Sequence, residues 1–242
     1  MHLIIDVGNT RAKLAVYENN SLKKRWVVEK KNLLNKSLKI LKNDPDISHA
    51  IISSVAHLDE KGLNEIDKKA KLLVLNKDVA IPFKNLYATP KTLGVDRIAL
   101  IAAAAHQYPG KNILVVDAGT CVTFDFLNSN NEYLGGAISP GLTIRYEALH
   151  KLTAKLPLLK PEQIEDFIGD STATSMHSGV VNGLVQEIDG VITQYKNRYK
   201  ELTVILTGGD TNFLAKSLKS SIFANSNFLL EGLNVILEIN KD

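Results

Sequence analysis

Cysteine is nearly absent from this sequence, and its absence excludes the disulfide-stapled and zinc-stapled scaffolds. The single cysteine, Cys121, can form neither an internal disulfide nor the thiolate cluster of a structural zinc site. We therefore expect a protein of a reducing compartment, the cytoplasm. Long hydrophobic runs are missing as well: the longest, Ile98 to Ala105, is far shorter than the roughly 20 residues that cross a bilayer. The sequence predicts neither export nor membrane insertion.

An excess of charge of one sign is also lacking. The chain has 29 Lys and Arg against 26 Asp and Glu, which gives a formal net charge of +3, and the basic residues are scattered. We expect no nucleic-acid partner, because such partners need a concentrated basic stripe. A hydrophobic share of 45% in 242 residues excludes disorder. It is enough for one large core or two cores of about 100 to 150 residues each.

What the sequence does contain is an internal repeat. Leu3–Thr10 (Leu-Ile-Ile-Asp-Val-Gly-Asn-Thr) is echoed by Leu114–Thr120 (Leu-Val-Val-Asp-Ala-Gly-Thr). Each copy is an apolar strand that ends at Asp-x-Gly, followed by a second strand-like run, 12–17 or 121–127. Asn-rich turns, which tolerate left-handed backbone, end both runs. The repeat predicts two hairpins in two related domains, 1–110 and 111–242.

Helical patterns fill the intervals between the predicted strands. The predicted helices are 32–42, 59–71, 97–106 and 171–199, and two further predicted strands are 50–55 and 203–207. This alternation predicts an α/β architecture of mixed sheets flanked by helices. In the long helix, Gly179 and Gly183 would let another helix approach closely, for example that of a second subunit.

The Asp-x-Gly turn could bind phosphate. Backbone N–H groups converge at such a turn, and a carboxylate beside phosphate needs an intervening Mg²⁺ or water. Asp6, Thr10 and Lys13 thus offer a metal ligand, a hydroxyl and an ammonium group to a polyphosphate. One copy alone is more typical of a structural turn, whereas two matched copies favour phosphate binding. At a third element, Leu206–Asp210, paired glycines either admit a planar ligand or form an ordinary strand-to-helix loop.

Taken together, these elements resemble the actin-like ATPase and sugar-kinase superfamily, in which two duplicated ribonuclease H-like domains clamp ATP. The intervening sequence resembles one family within it, type III pantothenate kinase. The segments that carry this resemblance are Asp6–Lys13, Asn85–Pro90, Leu93–Arg97, Val116–Thr120, Tyr133–Leu142, Thr153–Pro157, Ile168–Thr172 and Ser178-Gly179. They span essentially the whole chain, and the Gly-x-Asp-Arg and Gly-Gly-x-Ile-x-Pro-Gly stretches are the most discriminating. Cys121 and Leu86 depart mildly from the family pattern, where alanine-like residues and proline are usual.

The resemblance implies an ATP-dependent kinase that phosphorylates pantothenate in the first step of coenzyme A synthesis, as a homodimer paired through its second domain. The ATP-binding residues it implies are Asp6, Val7, Gly8, Asn9, Thr10, Arg11, Ala12, Lys13 and Thr120. The pantothenate-binding residues it implies are Tyr87, Gly94, Val95, Asp96, Arg97 and Thr172, with Asp96 as the proton acceptor. It also implies a monovalent cation, K⁺ or NH₄⁺, at Asp117. Mg²⁺ near Asp6, held through water, completes the expected cofactors.

Four of these residues also have alternative explanations, since Tyr87 could be a packed ring and Thr172 a capping hydroxyl. A carboxylate of ordinary pKa can orient an alcohol and take its proton as the new bond forms, which suits Asp96. Asp96 also directly precedes the predicted helix 97–106, where aspartate is a favoured N-cap. Arg97 offers paired donors to an anionic ligand, but a surface ion pair would explain it equally well.

Other functions stay open at this point. A Walker A lysine loop is absent, which separates the chain from the P-loop kinases. A kinase of the same fold could act on another small polyol or sugar. A non-enzymatic regulator of transcription could use nucleotide binding as a switch. Retention of Asp6, Lys13, Asp96, Arg97 and Asp117 together argues against a decayed site.

Overall fold

The computed structural model describes residues 1–54 and 60–241, and the chain divides into two compact units. The first unit contains Met1–Pro109, Asn131–Tyr133 and the C-terminal segment from Asn227, and the second contains Gly110–Asn130 and Leu134–Ser226. The C-terminal segment was expected in the second domain. It belongs to the first unit because its apolar helix packs against a helix there. Val55 and Asp59, one end each of a predicted strand and a predicted helix, lie outside the described residues.

The first unit is built on a five-stranded mixed sheet. Its strands are β1 (His2–Val7), β2 (Ala12–Glu18), β3 (Ser21–Val28), β4 (His49–Ser54) and β5 (Lys71–Val74), in the order β3-β2-β1-β4-β5. β1, β2 and β3 form an antiparallel meander, whereas β4 runs parallel to both β1 and β5. The first predicted hairpin, β1 and β2, is confirmed. Asn19 and Asn20 form the next turn, between β2 and β3, and take left-handed backbone with φ of 48° and 62°.

Four helices cover the two faces of this sheet. They are α1 (Leu33–Asn43), α2 (Glu60–Asp67), α3 (Val95–Gln107) and α8 (Phe228–Asn240). α1 and α2 bury apolar side chains against one face, while α8 packs on β1 and β4 and α3 packs on α8 and β4. A Cβ at Gly232 would lie 1.8 Å from the carbonyl oxygen of Ala99, so glycine is what lets α8 approach α3 this closely.

The second unit repeats the arrangement of strands in the first. Its strands are β7 (Asn112–Ala118), β8 (Cys121–Leu127), β9 (Glu132–Pro140), β10 (Leu202–Thr207) and β11 (Phe223–Ala224), in the order β9-β8-β7-β10-β11. β7 and β8 form the second predicted hairpin, and β10 runs parallel to β7 and β11. The short β6 (Lys84–Asn85) pairs with the start of β9, within residues of the first unit. The duplication predicted from the repeat is confirmed.

The predicted helix 171–199 is three consecutive pieces. α5 (Thr172–His177) begins with a capping box between Ser171 and Thr174, a π-helical turn covers Ser178–Asn182, and α6 (Gly183–Arg198) follows. The remaining helices of this unit are α4 (Leu142–Lys151) and α7 (Thr211–Leu214). A Cβ at Gly179 or Gly183 would meet no atom of the described residues within 4 Å. None of the described helices has both the length and the apolar character needed to span a bilayer.

Candidate active site

Asp6 stands in the middle of a polar row that crosses three strands of the first unit. It lies directly opposite Lys13 on β2 and Ser53 on β4, so the three side chains project from the same face of the sheet. Their chain neighbours Ile5 and Ile52 project from the other face and join the hydrophobic core there. Alternation along the strands thus places this polar row on the face opposite to Ile5 and Ile52.

The hairpin beyond Asp6 is a tight turn with a polar tip. The N–H of Gly8 donates to the carbonyl oxygen of Arg11 over 3.1 Å, which closes the turn. Asn9, Thr10 and Arg11 are exposed at the tip. Val7 and Ala12 are the last paired residues of the two strands. The predicted phosphate-binding segment is therefore an exposed polar turn fixed on a buried strand pair.

Burial and a neighbouring carboxylate govern the charge of Asp6. Its side chain is buried, and its pKa is raised to about 6, mainly by burial; Lys13 acts to lower this pKa and Asp96 acts to raise it. Asp96 is thus near enough to Asp6 for electrostatic repulsion. A cation bound beside Asp6 would remove this penalty, because it favours the charged carboxylate.

The donor set at Asp6 fits a magnesium ion that arrives with a nucleotide. Mg²⁺ is usually held by one or two carboxylates together with waters and substrate phosphates. Across residues 1–54 and 60–241, no three His, Cys, Asp or Glu side chains gather into an all-protein metal cage. Asp6 is a carboxylate of the kind that such a shared site requires.

Asp96 is not the N-cap of its helix. α3 begins at Val95 and its N-cap is Gly94, so Asp96 occupies the first turn, and the capping interpretation is wrong. One carboxylate oxygen, Oδ1, accepts the N–H of Arg97 over 2.8 Å. A Cβ at Gly94 would lie 2.4 Å from this oxygen, so glycine lets the carboxylate fold back over the helix start. Oδ2 takes no part in this hydrogen bond.

Arg97 is buried, with 6% of its surface exposed, so the surface ion pair is also wrong. Its guanidinium carbon lies 5.5 Å from the ring centre of Tyr87, a cation–π distance. The ring of Tyr87 in turn lies 6.0 Å from that of Tyr133. The residues of the first unit that the resemblance assigned to pantothenate, 87 and 94–97, therefore form one neighbourhood.

The second unit carries the matching hairpin and the glycine loop. Asp117 lies near the end of β7, and the N–H of Gly119 donates to the carbonyl oxygen of Cys121 over 2.9 Å, leaving Thr120 exposed at the tip. Gly208 has a φ of +100°, and a Cβ there would lie 2.4 Å from Asp117 Oδ1 and 2.2 Å from the carbonyl oxygen of Ala118. Carboxylate and carbonyl oxygens thus gather at one point, which suits a hard cation.

The segment 140–145, here called the strap, holds this second hairpin in place and was not identified from the sequence. The N–H of Gly141 donates to the carbonyl oxygen of Thr120 over 3.0 Å. Arg145 fixes the preceding residue, because its Nε donates to the carbonyl oxygen of Pro140 over 2.8 Å, and it also pairs with Glu187. The Pro-Gly stretch in the sequence could have indicated the strap, but the partners of Arg145 come from tertiary packing.

Thr172 belongs to the second unit, at the start of α5. It is exposed at the first position of α5, where the hydrogen bonds between Ser171 and Thr174 account for the helix start. Within the described part of the chain, its side chain makes no hydrogen bond with another predicted site residue. Its role rests on the resemblance.

Two units with the same strand order, each with an Asp-x-Gly hairpin, define the class of actin-like ATPases and sugar kinases. Solved structures of this fold are similar over nearly the whole chain. A glucokinase from an Antarctic psychrotroph has a TM-score of 0.56 at 13% identity, covering 99% of each chain. A Campylobacter jejuni protein described as a candidate Baf family transcriptional activator has a TM-score of 0.66 at 21% identity, covering 98% of each chain.

The family within this class follows from sequence comparison. The family model of type III pantothenate kinase matches residues 2–194. The type III pantothenate kinase of Christiangramia forsetii is 53% identical over 100% of this chain and 99% of that protein. The one from Flavobacterium johnsoniae is 51% identical over 97% of this chain and 96% of that protein. The chain belongs to the type III pantothenate kinase family.

Proposed function

We propose that this protein transfers the γ-phosphoryl group of ATP to the primary hydroxyl of pantothenate, the first step of coenzyme A biosynthesis. The observation that carries the proposal is the placement of Asp96 beside Asp6 and Lys13 in a chain of this family. Asp96, the base for an alcohol, thereby lies next to Asp6, which suits magnesium, and Lys13, which suits phosphate. Phosphoryl transfer needs little more than this kind of positioning and charge neutralisation.

The nucleotide is held by backbone and charge. The proposed ATP contacts are Asp6, Val7, Gly8, Asn9, Thr10, Arg11, Ala12, Lys13 and Thr120. The N–H groups of the hairpin turn bind phosphate oxygens, and Lys13 adds positive charge beside them. Mg²⁺, when bound near Asp6, neutralises phosphate charge. Asp117 holds the monovalent cation, together with carbonyl oxygens near Gly208.

The acceptor is held by the neighbourhood around the start of α3. Arg97 pairs with an anionic oxygen of pantothenate, and the ring of Tyr87 packs beside it. Gly94, Val95 and Thr172 complete the proposed substrate contacts. Asp96 orients the hydroxyl through Oδ2 and takes its proton as the oxygen attacks phosphorus. The bond between the γ-phosphorus and the bridging oxygen breaks, and ADP leaves.

The proposed assembly is a homodimer in the cytoplasm. Its support is the open space at Gly179 and Gly183: a Cβ there would meet no atom of the described residues within 4 Å, which leaves room for a helix of a second copy. Light scattering at micromolar concentration is expected to give twice the mass of the chain. A monomeric mass would contradict the assembly without touching the proposed reaction.

A substrate panel tests the reaction. Purified protein with ATP, Mg²⁺ and K⁺ is offered pantothenate, glucose or N-acetylmannosamine, and ADP release is measured along with the phosphorylated product. We expect 4′-phosphopantothenate from pantothenate alone, with less activity when Na⁺ replaces K⁺. Turnover of a sugar without pantothenate would favour a sugar kinase. Nucleotide binding without turnover of any acceptor would favour the regulator.

A further inference from the structure

One buried hydroxyl of the first unit, that of Ser53, has no role in the site described above. Ser53 is 1% exposed, and among the described residues its Oγ has no hydrogen-bond partner. Buried polar groups in native proteins nearly always have a partner, in the protein, in water or in a ligand. Ser53 ends neither a helix nor a turn, so local backbone capping does not account for it.

The position of Ser53 indicates which ligand it would meet. Ser53 and Lys13 flank Asp6 on opposite sides, because β4 and β2 are the two neighbours of β1. The Lys13 side carries the positive charge expected beside phosphate. The Ser53 side is β4, the strand on which α3 packs, and the first turn of α3 carries Asp96. The hydroxyl therefore lies on the side of Asp6 that is nearer to α3, the helix that carries Asp96.

We propose that Ser53 is a substrate-binding residue whose Oγ hydrogen-bonds the hydroxyl-bearing end of the acceptor. The inference rests on the proposed pantothenate kinase activity and adds a contact to the same site. A serine hydroxyl both donates and accepts, which suits an alcohol whose own proton points to Asp96. In this arrangement Oγ donates to the alcohol oxygen while the alcohol donates to Asp96 Oδ2.

Tyr17 provides a matched control. Its hydroxyl is also buried without a hydrogen-bond partner among the described residues. Tyr17 pairs with His2 at the opposite end of β1 from Asp6. Tyr17→Phe therefore removes a comparable hydroxyl from the same sheet without changing the site.

The experiment compares Ser53→Ala and Tyr17→Phe with the wild type, by thermal unfolding without ligands and by steady-state kinetics. Removal of an unpartnered buried hydroxyl does not weaken the unliganded fold, so both variants should keep or raise the melting temperature. Ser53→Ala should raise KM for pantothenate about tenfold, the loss of one buried hydrogen bond, while KM for ATP stays within about twofold. Tyr17→Phe should leave both KM values unchanged.

An unchanged KM for pantothenate in Ser53→Ala would overturn the assignment, and so would an effect on KM for ATP alone. If Ser53→Ala does not fold, Ser53→Cys keeps a similar shape and weakens the donor, and it must raise KM for pantothenate by a smaller factor. An inactive wild type would refute the kinase activity and this contact with it. If the wild type is active and Ser53→Ala leaves KM for pantothenate unchanged, the contact alone is refuted.

Discussion

At the scale of single residues, the proposed reaction depends on the positions of two carboxylates, Asp6 and Asp96. Asp6 could be proposed from the sequence because it ends an apolar strand in a repeated motif, whereas Asp96 was proposed through the resemblance to the family, since its place beside a predicted helix favoured a cap. Ser53 could not, because its importance arises from the register of β4 against β1, which brings it level with Asp6. The sequence of β4 shows a strand but not its partner. The burial of Arg97 likewise depends on packing that no local pattern reveals.

The raised pKa of Asp6 predicts a pH effect on stability without nucleotide. Between its unfolded value of 3.8 and its folded value of about 6, the native state binds more protons at this site than the unfolded state does. The stabilising contribution of Asp6 is therefore complete below 3.8 and is lost as pH rises through about 6. The loss is on the order of 3 kcal/mol. Asp6→Asn should abolish it.

Urea unfolding of wild type and Asp6→Asn between pH 4 and pH 7 measures this effect, without ATP or Mg²⁺. The unfolding free energy of the wild type should fall relative to the variant as pH rises. Asp189→Asn is the control that should show no fall over this range: burial raises the pKa of Asp189, but hydrogen bonds from Lys219 and Ser220 lower it overall, so its contribution to stability is lost only at pH values below its ordinary pKa of 3.8. A constant difference between wild type and Asp6→Asn across this range would contradict the burial of a charged Asp6.

At the scale of elements, two distant parts of the sequence form the same local structure, a hairpin with an Asp-x-Gly turn. The hairpins at Asp6 and Asp117 were predictable because strand, turn and strand are contiguous and their pattern is local. α8 was not predicted, because its apolar residues are explained by packing on α3, β1 and β4, all far away in the chain. The π-helical turn at 178–182 was missed for a related reason, since one helical face runs through it without interruption.

Gly208→Ala should damage the second unit selectively. The positive φ of Gly208 and the closeness of the Ala118 carbonyl oxygen leave no room for a Cβ, so the variant should lose roughly 1–3 kcal/mol of unfolding free energy. Stimulation of activity by K⁺ should also weaken, because the added methyl group displaces Asp117.

The adjacent glycine is the control for this substitution. A Cβ at Gly209 would meet nothing within 4 Å, so Gly209→Ala should change the unfolding free energy by no more than about 0.5 kcal/mol. Urea unfolding and a K⁺ titration of activity measure both effects. Equal stability of the two variants would show that the loop does not pack on the Asp117 hairpin as described.

At the scale of the whole molecule, one strand order occurs twice in a single chain, and each copy carries an Asp-x-Gly hairpin. The duplication was readable from the repeat, but the return of the C-terminal segment to the first unit was not. Membership of the type III pantothenate kinase family joins the two hairpins to one proposed reaction. The central claim is that Asp96 is the proton acceptor of that reaction.

The rate of 4′-phosphopantothenate formation by wild type and Asp96→Asn, at saturating ATP, Mg²⁺ and K⁺, tests this claim most directly. Equal melting temperatures of the two proteins serve as the folding control. Asparagine keeps the shape of the side chain but accepts no proton, so the rate should fall about 10²- to 10⁴-fold. A variant that retains the wild-type rate would contradict the account.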